Sequence, residues 1–347
     1  MTVVQDRSVR RVPATAVAGT CAVLLAAGMA SSSRVGPVDL PLGQLVTAVW
    51  ERVTVGLEPL TLQERLVTEH RIPRILLAAV IGAVLAVAGC VLQALTRNPL
   101  ADPSILGGTS GASLGAVAMI VAGASGPLSV TAAAFVGAGC GFAATLALAW
   151  RGGGVSPLRL VLAGIAVSYL LSALTSMVVF RADDDRRLRS ALFWQLGSVA
   201  DASWGSLFVP SVLMIAGVVV LMLRARRLDA LSYGDLTATA LGVSPQRLRA
   251  EMFVITSLLT GAAVALAGGI GFVALVVPHA VRLLAGPRHS SLVPLAALAG
   301  AAFLVWADLV GRVVAPPSEV PLGVVTALVG APIFALLIAG RMRDELA

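Results

Sequence analysis

The chain has 347 residues, 58% of them hydrophobic and only 12% charged, which excludes a soluble globular domain, near one quarter charged, and a disordered one, which needs low hydrophobicity and high charge. It reads as an all-α polytopic membrane protein, one transmembrane domain over residues 1–347, with room for about ten spans of roughly 20 apolar residues each. The net charge of +7 rests on 25 arginines and no lysine, so a Walker A lysine on nucleotide phosphates and lysine Schiff-base chemistry are both excluded, and the basic charge belongs on a membrane face rather than on nucleic acid.

The first apolar run, 13–30, follows Arg7, Arg10 and Arg11 and ends at Ala27-Gly-Met-Ala30 before a serine triplet. A cleaved signal peptide has that pattern, but a multispanning protein can use its first helix as its own signal, and the run reads as a retained span. An outer segment over 31–71 alternates apolar and polar residues around Leu45 to Trp50, as an interfacial helix does. The second span, 72–95, runs into a short Pro-rich turn at 96–104, and spans 105–123 and 128–150 follow. The fifth, 158–180, places Gly164, Ser168, Ser172 and Ser176 four residues apart with Thr175 beside them, a small and weakly polar face. Such a face packs helices closely or walls a solute pathway with uncharged hydroxyls, and the sequence allows both.

A second outer segment, 181–204, opens with the charges of Arg181 to Arg187. After the sixth span, 205–223, comes the longest inner loop, 224–250. Arg224, Arg226 and Arg227 anchor the span before it; Leu228 to Asp235 and Leu236 to Gly242 read as two short helices meeting at a glycine. That organisation suits a docking site for a cytoplasmic partner. Runs 251–268, 271–285, 291–312 and 321–340 complete ten, all helical because lipid cannot satisfy open backbone groups. Two pairs of spans are joined through Gly/Pro breaks, Asn98 to Gly111 and Gly268 to Gly271, the spacing of an inverted repeat.

With the N-terminus inside, the inner loops hold 15 arginines against 7 acids and the outer loops 10 of each, so the positive-inside rule places both termini, including the tail 1–12, in the cytoplasm. Catalysis and ion coupling find little support. The three cysteines, Cys21, Cys90 and Cys140, sit in apolar runs, and His70, His279 and His289 form no ligand cluster. Asp308 is the one acid inside a span, and Arg312 four residues on is its natural partner. No catalytic residue, metal site or cofactor is expected on this chain.

The stretches Arg71-Ile-Pro-Arg74, Ala88-Gly-Cys-Val-Leu-Gln93, Arg97-Asn-Pro-Leu-Ala-Asp-Pro103 and Gly111-Ala-Ser-Leu-Gly115 resemble the FecCD-type permeases, the membrane subunits of type II ABC importers for iron–siderophore chelates, haem and cobalamin. Leu241-Gly-Val243, Gly268 through Val277-Pro-His279, and Ala307-Asp308 through Glu319 to Pro332 resemble them too. The resemblance, from about residue 40 to the C-terminus, implies a ten-helix permease of the cytoplasmic (inner) membrane that pairs with a second permease subunit. Two cytoplasmic ATPases would hold ATP and Mg²⁺, and an extracytoplasmic binding protein would deliver a ferric siderophore. It implies that residues 228–243 form coupling helices against the ATPase, through Leu231, Gly234, Asp235, Leu241 and Gly242. It further implies that Ser168, Ser172, Thr175 and Ser176 line the pathway, and that Arg71, Arg74 and Arg312 meet acids of the binding protein, where snorkelling is the plain alternative. Cobalamin, haem and, in another class, an ion-coupled carrier are the alternatives this reading leaves open.

Overall fold

The computed structural model describes residues 12–35, 43, 50, 54, 61–123, 126–151 and 154–346, the side chains of 62, 63, 127 and 338–346 excepted. The tail read over 1–12 and the interfacial helix read around 45–50 fall, apart from Val12 and Trp50, outside these residues. In chain order the helices are α1 (Ala14–Arg34), α2 (Leu62–Leu66), α3 (Ile72–Thr96), α4 (Gly108–Val121), α5 (Pro127–Ala149), α6 (Pro157–Phe180) and α7 (Asp185–Leu196). Then come α8 (Trp204–Ser232), α9 (Asp235–Ala240), α10 (Pro245–Ala267), α11 (Val273–Ala285), α12 (His289–Val313) and α13 (Leu322–Leu346). A two-residue antiparallel pairing, Trp150–Arg151 with Gly154–Val155, links α5 to α6.

Among the described residues seven helical runs are long and apolar enough to cross a membrane, and α4, α11 and the described part of α13 are shorter apolar helices. These ten coincide with the ten apolar runs. The short helices α4 and α11 begin at the predicted glycine breaks. Before α4 stands a 3₁₀ turn, Pro103–Leu106, and Gly107 at φ 83°; before α11 the chain turns at Gly268 (φ 70°) and Phe272 (φ 66°). Thirteen residues in α11 reach only about 20 Å at 1.5 Å each, so the irregular stretch before it supplies the remaining depth inside protein, where its polar backbone is shielded from lipid.

The centre of the fold is α3. Its sequence is apolar on every side, which is the mark of a helix buried all round, and it is enclosed by α8, α10, α11 and α12. Its glycines set how close the neighbours come: any Cβ on Gly82 would overlap the Gly300 carbonyl of α12, and on Gly89 the Ala274 carbonyl of α11. Small residues at such crossings are what allow membrane helices to gain contact. Gly89→Leu is therefore expected to force α11 off α3 and collapse the yield of monodisperse protein on size exclusion in detergent, since overpacking already costs about 1–3 kcal/mol where neighbours can shift.

Three features differ from the sequence expectations. Helix α3 does not begin abruptly at residue 72: α2 leads into it through a π turn, Val67–Arg71. Pro73 lacks an N–H and crowds the carbonyl four residues back, and the wider turn takes up that conflict. The segment 181–204, read as a loop between spans, contains a helix, α7, capped by the Asp184 carboxylate on the Arg186 N–H. Finally, Leu228 to Ser232 is not a separate short helix but the end of α8, which meets no breaker until Gly234 at φ 108°.

Candidate functional site

Two polar constellations stand at opposite ends of α3. At its C-terminal end, Gly234 turns the chain from α8 into the short helix α9. Asp235, the first residue of α9, then reaches back to the bundle. Arg249 of α10 donates from Nη1 to Asp235 Oδ2 (2.9 Å), from Nη2 to Oδ1 (2.5 Å) and from Nε to the Leu95 carbonyl (3.4 Å). Arg97, just past α3, lies 3.6 Å from the same carboxylate. Arg249 is 1% exposed, so a two-fork ion pair is what makes its burial tolerable. The hydrogen bonds from Arg249, reinforced by the charges of Arg249 and Arg97, hold the Asp235 carboxyl below the usual carboxylate range.

The corner so fixed presents an apolar surface. Tyr233 and Leu241 are exposed and Leu236 is 89% exposed, in a segment outside the spans. Leu231, expected to face a partner, is instead fully buried at 0%; it lies on the inward side of α8 and helps to seat the corner. Gly242 (φ 77°) ends α9 in open space, where a Cβ would meet nothing within 4 Å, and a Cβ on Gly234 would meet Arg97 at 3.5 Å. Tyr233 and Leu236 escape the sequence reading, although large apolar side chains inside a polar loop are the signal that finds them. On the same side, Asp229 near the end of α8 accepts from the His289 N–H (2.9 Å) and sits 2.6 Å from its Nδ1, capping α12.

At the other end of α3, Arg74 carries two carboxylates at once. Its Nε and Nη2 donate to Asp308 (3.0 and 2.8 Å) and its Nη1 and Nη2 to Glu319 (3.0 and 2.8 Å). Arg312 Nε lies 3.1 Å from Asp308 on the other side, and its Nη atoms donate to Ser32 and to the Val35 carbonyl. Arg71 donates to the Ser33 carbonyl at 2.7 Å. The end of α1 is thus part of this cluster. Asp308 is 3% exposed and Glu319 46%, so the group facing outward is an acid. The three arginines expected to greet a partner's acids all hold groups of their own chain.

Hydrogen bonding from Arg74, then its charge and that of Arg312, pull the Glu319 carboxyl below its usual range. A lowered folded-state value means that the pairing is fully present above the ordinary carboxylate pKa and is lost as pH falls through the lowered one. The same sign holds for Asp235. Thermal stability in detergent is therefore expected to receive a constant contribution from both pairs between about pH 8 and 5. It should lose that contribution only below about pH 4, and Glu319→Gln should blunt the Arg74–Glu319 part of that acid fall in a melting series against pH.

On α6 the four hydroxyls part company. Ser168 accepts from the Gly107 N–H (2.9 Å), and the nearby Gly164 abuts the Ile105 carbonyl, so this half of the face packs against the start of α4. Thr175 is buried and donates to the Leu171 carbonyl. Ser172 and Ser176 lie on the open side, Ser172 3.2 Å from Ser110 of α4 and Ser176 exposed. The stripe thus divides: Gly164, Ser168 and Thr175 are packed, and Ser172 and Ser176 stay on an open polar patch.

Comparison with known proteins places this architecture. Residues 23–340 match the FecCD transport family. The chain is 43% identical over 271 residues to the cobalamin import system permease protein BtuC of Halobacterium salinarum, covering 78% of this chain and 72% of that one. It is 36% identical over 335 residues to the iron(3+)-hydroxamate import system permease protein FhuB of Bacillus subtilis, covering 94% and 83%. A solved inward-facing metal-chelate type ABC transporter superposes with a TM-score of 0.82 at 30% identity, over 94% of this chain and 99% of that one.

Proposed function

Because the chain belongs to the FecCD transport family and is a multi-pass permease subunit of an ABC importer rather than an enzyme, we propose that it forms the conduit for an iron(III)–siderophore complex. The observation that carries the cargo is the alignment with a hydroxamate permease along 94% of this chain. A permease of this kind works with a second permease subunit and with ATPases. In the proposed cycle the α8–α9 corner is the ATPase contact: Tyr233, Leu236 and Leu241 seat in the ATPase, and Asp235 passes its motion through Arg249 to α10 and through Arg97 to α3. This face is cytoplasmic in the reading, as the arginine count predicts. Ser172 and Ser176 border the route on α6, where weak hydroxyl contacts let a large solute leave again.

The cluster of Arg71, Arg74, Arg312, Asp308 and Glu319 lies on the outward face in this reading and is where a binding protein docks. Its inner pairing changes how docking works. A partner acid approaching Arg74 competes with Glu319, so docking exchanges one carboxylate for another and gains rate and specificity more than raw affinity. The same pairing argues against an ion-coupled carrier: Asp308, the acid that the sequence places inside a span, is held by two arginines, the reverse of a site that must load and unload a cation.

Proteoliposomes with the permease, its ATPase and its binding protein, offered ferric siderophore, cobalamin or haem, test the proposal. ATP-dependent uptake of the ferric siderophore is the expected result. Uptake of cobalamin alone, which the 43% identity to a cobalamin permease makes the second reading, overturns the cargo but keeps the mechanism. Uptake that needs no ATPase overturns the mechanism.

A further inference from the structure

Beside the α8–α9 corner lies a cavity of about 600 Å³, bounded by the ends of α3, α8 and α11, the start of α12 and the later part of α13. Its charged and titratable lining is basic, Arg97, Arg282, His279 and His289, and Gln93 and Ser232 are the other polar side chains. Among the described residues no carboxylate lines it. Asp235 pairs with Arg97 and Asp229 with His289. His289 is 2% exposed, and with its Nδ1 engaged by Asp229, its Nε2 has no hydrogen-bond partner among the described residues. A buried ring nitrogen without a partner costs free energy unless a ligand completes it. As a donor, Nε2 would meet a ligand oxygen.

The mouth of the cavity is apolar: Leu283 and Leu336 line it and are exposed beside it. Two guanidiniums above a greasy rim at the end of a set of membrane spans form a basic pocket of the kind that holds lipid headgroups. A planar guanidinium fork also matches phosphate oxygens in pairs. We propose that this cavity binds the phosphate group of an anionic phospholipid, the acyl chains passing out over Leu283 and Leu336. Because Arg97 is shared with Asp235, the bound phosphate also biases the seating of α9.

The test uses the full chain in phosphatidylcholine bicelles, with melting temperature followed as phosphatidylglycerol or, separately, inorganic phosphate is titrated in. Phosphatidylglycerol should raise the melting temperature saturably. Arg97→Gln with Arg282→Gln should move half-saturation up by about ten-fold or more, while Arg226→Gln with Arg227→Gln, which removes equal charge from exposed positions of α8 outside the cavity, should leave it within a factor of about two. An equal response of both double variants would overturn the site, as would no response of the wild type. An equal response of the wild type to inorganic phosphate would overturn the lipid assignment in favour of a soluble phosphate. Should the first double variant fail to fold, Arg282→Gln against Arg282→Lys decides: loss in the first and retention in the second support the site, and equal behaviour overturns it.

Discussion

Asp235→Arg is expected to all but abolish ATP-driven uptake while the partner ATPase keeps its basal hydrolysis. The carboxylate is the fastening between α9 and the bundle, and it is the counter-charge of a guanidinium that is 1% exposed. Reversing it sets three arginines against one another, Arg97, Arg249 and the new one, in a space that holds no other acid for Arg249 among its described contacts. Removing one partner of a buried ion pair costs about 3–5 kcal/mol. Since Asp235 itself is 39% exposed, the lower end applies, which still reduces the seated population of α9 about 100-fold. Uptake and phosphate release measured on the same proteoliposomes separate the outcomes: uptake lost with hydrolysis retained is the expected pattern, and Asp235→Asn, which keeps hydrogen bonding without charge, should fall between. Wild-type uptake by Asp235→Arg would show that the corner does not carry the coupling.

The second large effect lies at the other end of α3. Arg74→Ala strips Asp308 of its bidentate partner and takes from Glu319 the guanidinium that holds it, while Arg312 remains 3.1 Å from Asp308. A carboxylate 3% exposed with half its compensation gone should cost about 3 kcal/mol, read as a drop of several degrees in the detergent melting temperature. Adding Asp308→Asn should recover part of that loss, because the penalty is mainly the uncompensated charge rather than the missing contact. If docking of the binding protein weakens in Arg74→Ala but recovers no ground in the double variant, stability and docking will have been separated. If Arg74→Ala melts like the wild type, the cluster does not brace the fold.

The ten apolar runs, the two glycine breaks and the Asp308–Arg312 pair are legible in the sequence because each is local: a run of side chains, a φ only glycine takes easily, an i,i+4 spacing. The partners of Arg74 and Arg249 are not. Asp308 lies 234 residues from Arg74, and Asp235 and Arg249 stand on two helices, α9 and α10, whose approach depends on the turn through Gly242. An outer arginine reads as solvent-facing until the chain brings an acid to it. Leu231 is misplaced for a related reason: α8 continues to Ser232, so Leu231, three residues after the buried Leu228, stays on the same buried face of that helix. The serine stripe of α6 looks uniform in sequence, and only the position of α4 divides it into a packed half and an open half.

The enclosure of α3 bears on how the chain enters a membrane. Its window is the most apolar of the spans and also the most enclosed, at 89% buried. An isolated helix of that composition is stable in lipid before any neighbour arrives, so α3 can wait in the bilayer as a free cylinder while later spans are made. The short helices α4 and α11 have no such independence, since each reaches the far side only through an irregular stretch that needs protein around it. Biogenesis should then run as assembly onto a pre-inserted post. A chain truncated after α3 is expected to be membrane-integrated, and one that presents α11 without α3 to slip back out.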